Sequence, residues 1–447
     1  MKHGLRGTVE ILHKQEHLYR LIISQLRYDG FDEAANTITK VVSTYNQHLP
    51  CAPSSKLSHL VKLGLEKESD IGHDIAISSG TPVDPIHSSN LFYDSSSWLD
   101  LEVTSDDQIS SGPVSQHETS FITVHKGPAT VAAFSYDGQI AASASGDTSI
   151  KVLDVDRMLN KFPGISSSGM NSQQDLHPVI RTLYDHTSTI YTLDFHPRLP
   201  VLVSGGQDMF IKMFDYSRPA TKKAFKSIQE PWPIHCIRFH PGGDFLLVST
   251  LHPVIRLYDI RTLECFVSSS AYDHHTGPIN EVCWSIDGKM YASTSDDGTI
   301  KLWDGVSARC INTFKNAHGG AEVCSIQFSK NSKYLLSGGR DGAANLWELN
   351  TGRILNHYSG CTPSKRAISK AIFNHKEDYV LMGDEKHHEI CCWNSRNAVQ
   401  LDSLRTGHNN IVRYIVHSPT SSAFLTCSED NRVRCWYQKE PFISHTV

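Results

Sequence analysis

The chain has 447 residues, about three times a typical domain length, with 42 basic and 47 acidic side chains and a formal net charge of -5. That balance excludes a generic polyanion binder, which carries a clear basic excess. No apolar run approaches the ~20 residues of a membrane helix, and the N-terminus lacks a signal-peptide core, so a soluble intracellular protein with no membrane partner is expected. Eleven scattered cysteines without a C-x-x-C pair read as reduced thiols rather than a disulfide framework or a zinc site.

Residues 1–68 form a small head with nine Lys/Arg and seven Asp/Glu. Three short helices are expected over 10–68. Leu18, Ile22 and Leu26 stripe the first; Phe31, Ala34, Ile38 and Val42 stripe the second; Leu57, Leu60 and Val61 lie on the third, which starts after Pro53-Ser54-Ser55. Helices this short are marginal alone, and so small a head buries little core. Ile11, Tyr19, Ile23 and Leu65 are left over on the outer sides of helices one and three. Self-association through them is the simplest way to cover them, which makes the head a dimerisation domain. Residues 69–118 hold nine Asp/Glu, no Lys or Arg and twelve serines. Such a stretch lacks the apolar surface to offset chain entropy and reads as a disordered acidic linker.

Residues 119–447 repeat. Seven strand-like segments end on a large hydrophobe or aromatic at Leu153, Phe214, Tyr258, Trp303, Trp347, Trp393 and Trp436, spaced 61, 44, 45, 44, 46 and 43 residues apart. Five of the seven carry a second, fixed pattern. A loop histidine (His125, His186, His275, His318, His408) precedes a turn aspartate (Asp147, Asp208, Asp297, Asp341, Asp430) by 22 or 23 residues. A hydroxyl (Ser143, Ser204, Ser293, Ser337, Thr426) sits four before each aspartate, and the closing hydrophobe six after it. This resembles the WD40 β-propeller, a ring of four-stranded blades. The resemblance implies a buried His–Asp–hydroxyl chain in each such blade, and satisfaction is its physical reason: a buried imidazole needs partners for both nitrogens, and a buried carboxylate must be paired. Only the chains ending at Trp303, Trp347 and Trp436 can finish on an indole N–H. Blades three and six depart from the pattern, with His252 and His387 at the aspartate position. A loop over Arg157 to Leu176 is expected after blade one. The chain ends eleven residues past Trp436, leaving blade seven without an outer strand, and Thr119 to Val124 can supply it.

The head with Leu18-Tyr-Arg-Leu-Ile-Ile-Ser-Gln-Leu-Arg-Tyr-Asp-Gly30 and Leu60-Val-Lys-Leu-Gly64, followed by a propeller with His177-Pro-Val-Ile-Arg-Thr-Leu-Tyr-Asp-His186, Ala317-His-Gly-Gly-Ala-Glu-Val-Cys324 and Gly407-His-Asn-Asn-Ile-Val-Arg413, is narrower than a propeller pattern. It resembles the family of WD40-repeat subunits (subunit 1) of cleavage stimulation factor over nearly the whole chain. The resemblance implies a nuclear, non-enzymatic scaffold in pre-mRNA 3′-end cleavage and polyadenylation. It implies a homodimer through the head, and contacts with the helical-repeat subunit of that factor and with the RNA polymerase C-terminal domain. RNA is contacted by another subunit of the factor, so no direct sequence-specific RNA binding is expected.

Other features receive plainer readings. The pairs His274-His275 and His387-His388 are the best metal candidates among 25 histidines, and structural or solvated roles are preferred, so no metal or cofactor is expected. The Asp/His/Ser sets recur five times, which argues for structure rather than a catalytic triad, so no catalytic residue is assigned. Arg218, Lys222, Lys223 and Lys226, placed between blades two and three, and Lys365, Arg366 and Lys370 in blade six read as solvated basic surface, with an acidic partner or RNA backbone as the alternative. Tyr258-Asp259-Ile260-Arg261 fits the short motif of WD40 substrate receptors of cullin-type ubiquitin ligases, which is the second functional class.

Overall fold

Short stretches of alternating or wholly apolar residues, bounded by Asp, Gly and Ser turns, form strands of two to seven residues. The computed structural model describes residues 114–159, 177–218, 222–363 and 370–438. The head, with Ile11, Tyr19, Ile23 and Leu65, most of the acidic linker, and Lys365-Arg366 lie outside the described residues. Among the described residues the strands group into seven four-stranded antiparallel sheets, the seven blades of a WD40 propeller. Blade one runs outwards through Ala129–Phe134, Ile140–Ser145, Ser149–Asp154 and Val179–Tyr184, and the next five follow the same order.

Blade seven is composite. Val412–His417, Phe424–Ser428 and Arg432–Tyr437 are completed by Glu118–Val124, which pairs antiparallel with Arg432–Tyr437, Glu118 opposite Tyr437 and Val124 opposite Arg432. The first strand thus closes the ring against the last, and no edge is left at the seam.

Seven apolar clusters fill the spaces between neighbouring blades. Leu336, Leu346, Phe373 and Trp393 join blades five and six, for example, and Phe195, Leu202, Val131 and Ile150 join one and two. A strand whose two faces both meet another blade must be apolar on both, which is why Tyr334–Gly339 is buried along its whole length.

Two boundaries expected from the sequence move. The sequence predicts an acidic linker through residue 118, but Val114 is 3% exposed among Ile372, Leu381, Phe424 and Trp436, and His117 Nε2 bonds the Ser422 carbonyl at 2.9 Å. An apolar side chain wedged between blades six and seven holds this end of the linker on the propeller. The loop expected from Arg157 does not begin at that residue. Val155–Met158 form one helical turn capped by Asp154, whose carboxylate accepts the Arg157 N–H, and Met158 and Leu159 are buried in the core between blades one and seven.

Candidate interaction face and central channel

In each of these five turns between the second and third strands, the aspartate is followed by a residue with left-handed backbone: Thr148, Met209, Gly298, Gly342 and Asn431. This tight turn aims the carboxylate back at the loop ahead of the blade. In blade two His186 Nδ1 donates to Asp208 at 2.7 Å, and Ser204 lies 2.6 Å from Nε2. A carboxylate only accepts, so the proton sits on Nδ1 and the serine hydroxyl donates to Nε2. The serine oxygen is then free to accept. In blade four it accepts from Trp303 Nε1 at 2.9 Å, giving the chain Trp303–Ser293–His275–Asp297, with 2.7 Å and 3.2 Å for the two later links. Blade five repeats this with Trp347, Ser337, His318 and Asp341, and blade seven with Trp436, Thr426, His408 and Asp430. Phe214 and Leu153 end the chains of blades two and one without a donor. In blade one the imidazole reaches its acid indirectly: His125 Nε2 meets Ser143 at 2.9 Å, and Nδ1 meets the Ser149 hydroxyl at 3.1 Å, which donates to Asp147 at 2.6 Å.

Burial pushes the His125 imidazole down to about 4 and lowers His275 and His408. The aspartates feel burial too, which works to raise them, but hydrogen bonds from the imidazoles and from backbone N–H groups overcome it, and Asp208, Asp297, Asp341 and Asp430 are all held below the ordinary carboxylate range. In blades one, four and seven burial thus favours a neutral imidazole beside the carboxylate.

Blades three and six solve the same problem with other residues. In blade three Glu230, 1% exposed, accepts from the Tyr258 hydroxyl and pairs with Arg256. Glu230 stands 28 residues before Tyr258, the separation of His275 from Trp303, so an acid at the loop-histidine register with a tyrosine at the aromatic register was the available signal. His252, at the aspartate position, stacks on the half-exposed Trp232 at 5.9 Å instead. In blade six the acid is Asp384, which accepts from Thr362 and from His387 at 2.7 Å, while Trp393 donates to the Ser359 carbonyl at 3.0 Å.

The basic stretches are also relocated. Arg218, Lys222 and Lys223 lie within blade two, between its third strand and its outer strand, and Lys226 opens that outer strand. Lys370 is not surface: only 11% of its side chain is exposed, and it sits in the central channel. There Glu281 of blade four accepts from Lys370 of blade six at 2.7 Å and from Arg238 of blade three at 3.0 Å, and its other oxygen accepts the Ile326 N–H of blade five at 3.1 Å. The Tyr414 hydroxyl of blade seven meets Lys370 at 2.6 Å and Arg238 at 3.2 Å. Asp194 of blade two, raised to about 6 by burial, caps the Phe239 N–H at 2.7 Å beside Arg238. A single charged clasp therefore ties six blades across the channel. Asp259 of the ligase-like motif accepts the N–H groups of Arg261 and Thr262 and so shapes a turn.

Residues 10–69 match the family "Cleavage stimulation factor subunit 1, dimerisation domain", and five segments between 116 and 437 match "WD domain, G-beta repeat". The chain is 35% identical over 439 residues, 97% of its own length and 99% of the other's, to "Cleavage stimulation factor subunit 50" of Arabidopsis thaliana. Similarity to "Nuclear distribution protein nudF" of Aspergillus niger is 24% over 57% of this chain and 60% of that one, and to "Eukaryotic translation initiation factor 3 subunit I" of Eremothecium gossypii 26% over 57% and 78%. Those two cover a stretch of this chain shorter than its propeller, whereas the first spans head, linker and propeller together. The chain therefore belongs to the family of WD40-repeat subunits of cleavage stimulation factor, known as subunit 1 or subunit 50.

Proposed function

We propose that this protein is the non-enzymatic scaffold subunit of a cleavage stimulation factor and acts in the nucleus, in pre-mRNA 3′-end cleavage and polyadenylation, through protein contacts. The observation that carries this reading is the likeness to subunit 50 over 97% of the chain, head included. Residues 1–68 dimerise through Ile11, Tyr19, Ile23 and Leu65, residues between the head and Val114 tether it, and the propeller engages the helical-repeat subunit of the factor and the RNA polymerase C-terminal domain. The scaffold reading also agrees with the chemistry of the propeller. Its recurrent Asp, His and hydroxyl groups are spent on one another inside the blades, and its deepest cations, Arg238 and Lys370, are hydrogen-bonded to Glu281.

Affinity purification of the tagged protein from nuclear extract tests the proposal. Polyadenylation-factor subunits are expected in stoichiometric amounts, and extract depleted of the protein should lose cleavage of a polyadenylation substrate until the full-length chain is restored. Recovery of ubiquitin-ligase adaptors in their place would overturn it.

A further inference from the structure

The basic stretch of blade two meets the outer edge of blade one. The outer strand of blade one, Val179–Tyr184, is bonded to the connection that leads into the outer strand of blade two, Lys226–Gln229. The Tyr184 N–H donates to the Lys222 carbonyl at 3.1 Å, and the Arg181 guanidinium donates to the carbonyls of Ser217, at 3.2 Å, and Arg218. Ala224 packs into the core between the two blades and its N–H donates to Asp185 at 3.3 Å, so the inward side of the connection is taken. What stays outside is two lysines and two rings. Lys222 and Lys223 are exposed, Tyr184 is 53% exposed and Phe225 57%. Tyr184 stands 38 residues before Lys222, so rings among these bases arise only in the folded chain. The charges of this edge do not cancel. Asp185 is taken by Lys212 at 3.2 Å and Asp215 by Arg218 at 3.0 Å. Arg181 spends its hydrogens on carbonyls, which carry no opposing charge, and Lys222 and Lys223 have no carboxylate in contact among the described residues.

We infer that the outer edge where blades one and two meet is a contact surface for single-stranded RNA, with Lys222 and Lys223 on the phosphates and Tyr184 and Phe225 as stacking platforms for bases. Cations beside exposed ring faces are what an unpaired strand recognises, because every base has a π-face and every linkage a phosphate. An acidic peptide would use the lysines and leave the rings in water. Such a contact reads no base edges and carries no sequence preference. The chain's net charge of -5 opposes a polyanion at long range, so the rings must contribute and the binding must weaken steeply with salt. That the strand is RNA rests on the proposed role in 3′-end processing; the chemistry of rings and cations does not. Binding by the purified chain is independent of which complex it joins, so the nuclear-extract experiment can fail without affecting it.

The test titrates full-length protein into a fluorescently labelled uridine strand of about 12 nucleotides and reads anisotropy across about 50 to 200 mM salt. The wild type should bind, with affinity falling as salt rises. Lys222→Ala combined with Lys223→Ala should weaken binding at least tenfold at the low-salt end. It should also flatten the slope of log affinity against log salt by about 1.4, since each phosphate contact on a single strand contributes about 0.7. Tyr184→Leu combined with Phe225→Leu keeps apolar bulk and removes the rings; it should weaken binding at least fivefold and leave the salt slope unchanged. Lys289→Ala combined with Arg405→Ala removes the same charge from exposed side chains on blades four and six and should leave affinity within twofold of the wild type. No binding by the wild type, or undiminished binding by the lysine pair, overturns the proposal. Undiminished binding by the ring pair, or displacement of the strand by hexaglutamate as readily as by unlabelled RNA, would make the edge a site for an acidic protein and overturns it as well. Tighter binding of a thymidine deoxy strand of the same length would overturn the assignment to RNA.

Discussion

Ser204 and Ser293 occupy one register and differ in workload. Ser204 serves His186 alone, while Ser293 serves His275 and also accepts the Trp303 N–H. A buried group that loses its partner costs about 1–3 kcal/mol. Ser293→Ala orphans two groups and Ser204→Ala one, so the first should lower the thermal midpoint by roughly twice as much, read by circular dichroism. The same buried histidines set the acid limit. His125 is depressed by burial to about 4, His375 to about 4 and His417 to about 3. A depressed folded pKa gives stability that is whole above the unfolded value near 6.5 and is lost as pH falls from there toward the folded value. For His125 that amounts to about 2 kcal/mol between pH 7 and pH 5. Asp194, raised to about 6, runs the other way, gaining as pH falls through its folded value toward 3.8, but it is one group against three. Denaturation midpoints in urea should therefore drop between pH 7 and pH 5, and an unchanged midpoint would show the imidazoles to be solvated.

The turn between second and third strands is the smallest element that decides a blade. It needs left-handed backbone right after the aspartate, and Gly298 and Gly342 meet that need without strain. At Gly342 a side chain would also run into the Cys361 carbonyl, 2.7 Å from a Cβ. Met209 holds φ 63 in the same place and bears the steric cost of a Cβ there. Met209→Gly should accordingly stabilise the propeller, by up to about 1 kcal/mol, measured as a shift in urea midpoint at constant slope. Closure depends on a longer element. The six residue pairs between Glu118–Val124 and Arg432–Tyr437 are the only backbone ladder spanning the seam among the described residues. Deleting Ser120 to Val124 should leave the edge of blade seven open and give a self-associating product by light scattering, and a monodisperse product would show the seam to be held by apolar packing alone.

At the scale of the whole molecule two devices work at different radii. Apolar clusters join each blade to the next, and the Glu281 clasp links six blades at once through the centre. Removing one member of such a buried charge set leaves the others unpaired, which costs more than the set itself contributes. The head adds a second level of assembly. Its match to a dimerisation domain over residues 10–69 makes full-length protein of twice the chain mass the expected species in light scattering. Tyr19→Asp combined with Ile23→Asp should reduce that mass to one chain while the propeller's melting midpoint stays put, because the apolar faces proposed for the dimer belong to the head. Retention of the double mass would place the interface elsewhere.

Much of this was legible in the chain because a propeller is quasi-repetitive. Seven closing hydrophobes, 43 to 46 residues apart after a first interval of 61, define the blades, and His186, Asp208 and Ser204 stand at offsets that five blades share. Local spacing can carry this information because each His–Asp–hydroxyl chain closes within one blade or its entering loop. Where a repeat breaks, spacing alone fails. Glu230 with Tyr258 and Asp384 with Thr362 fill the same structural need with different residue types, and Asp384 is three residues from the position where the pattern looks for an acid. The contacts between blades have no such local signature. Lys370 reads as one more exposed lysine in sequence, and it becomes a buried partner of Glu281 because ring closure brings together side chains 89 residues apart. Val114 likewise leaves the acidic linker for the core only because blades six and seven present it with a gap. Burial and pairing across the channel follow from the curvature of the whole ring, and no local window of sequence contains that curvature.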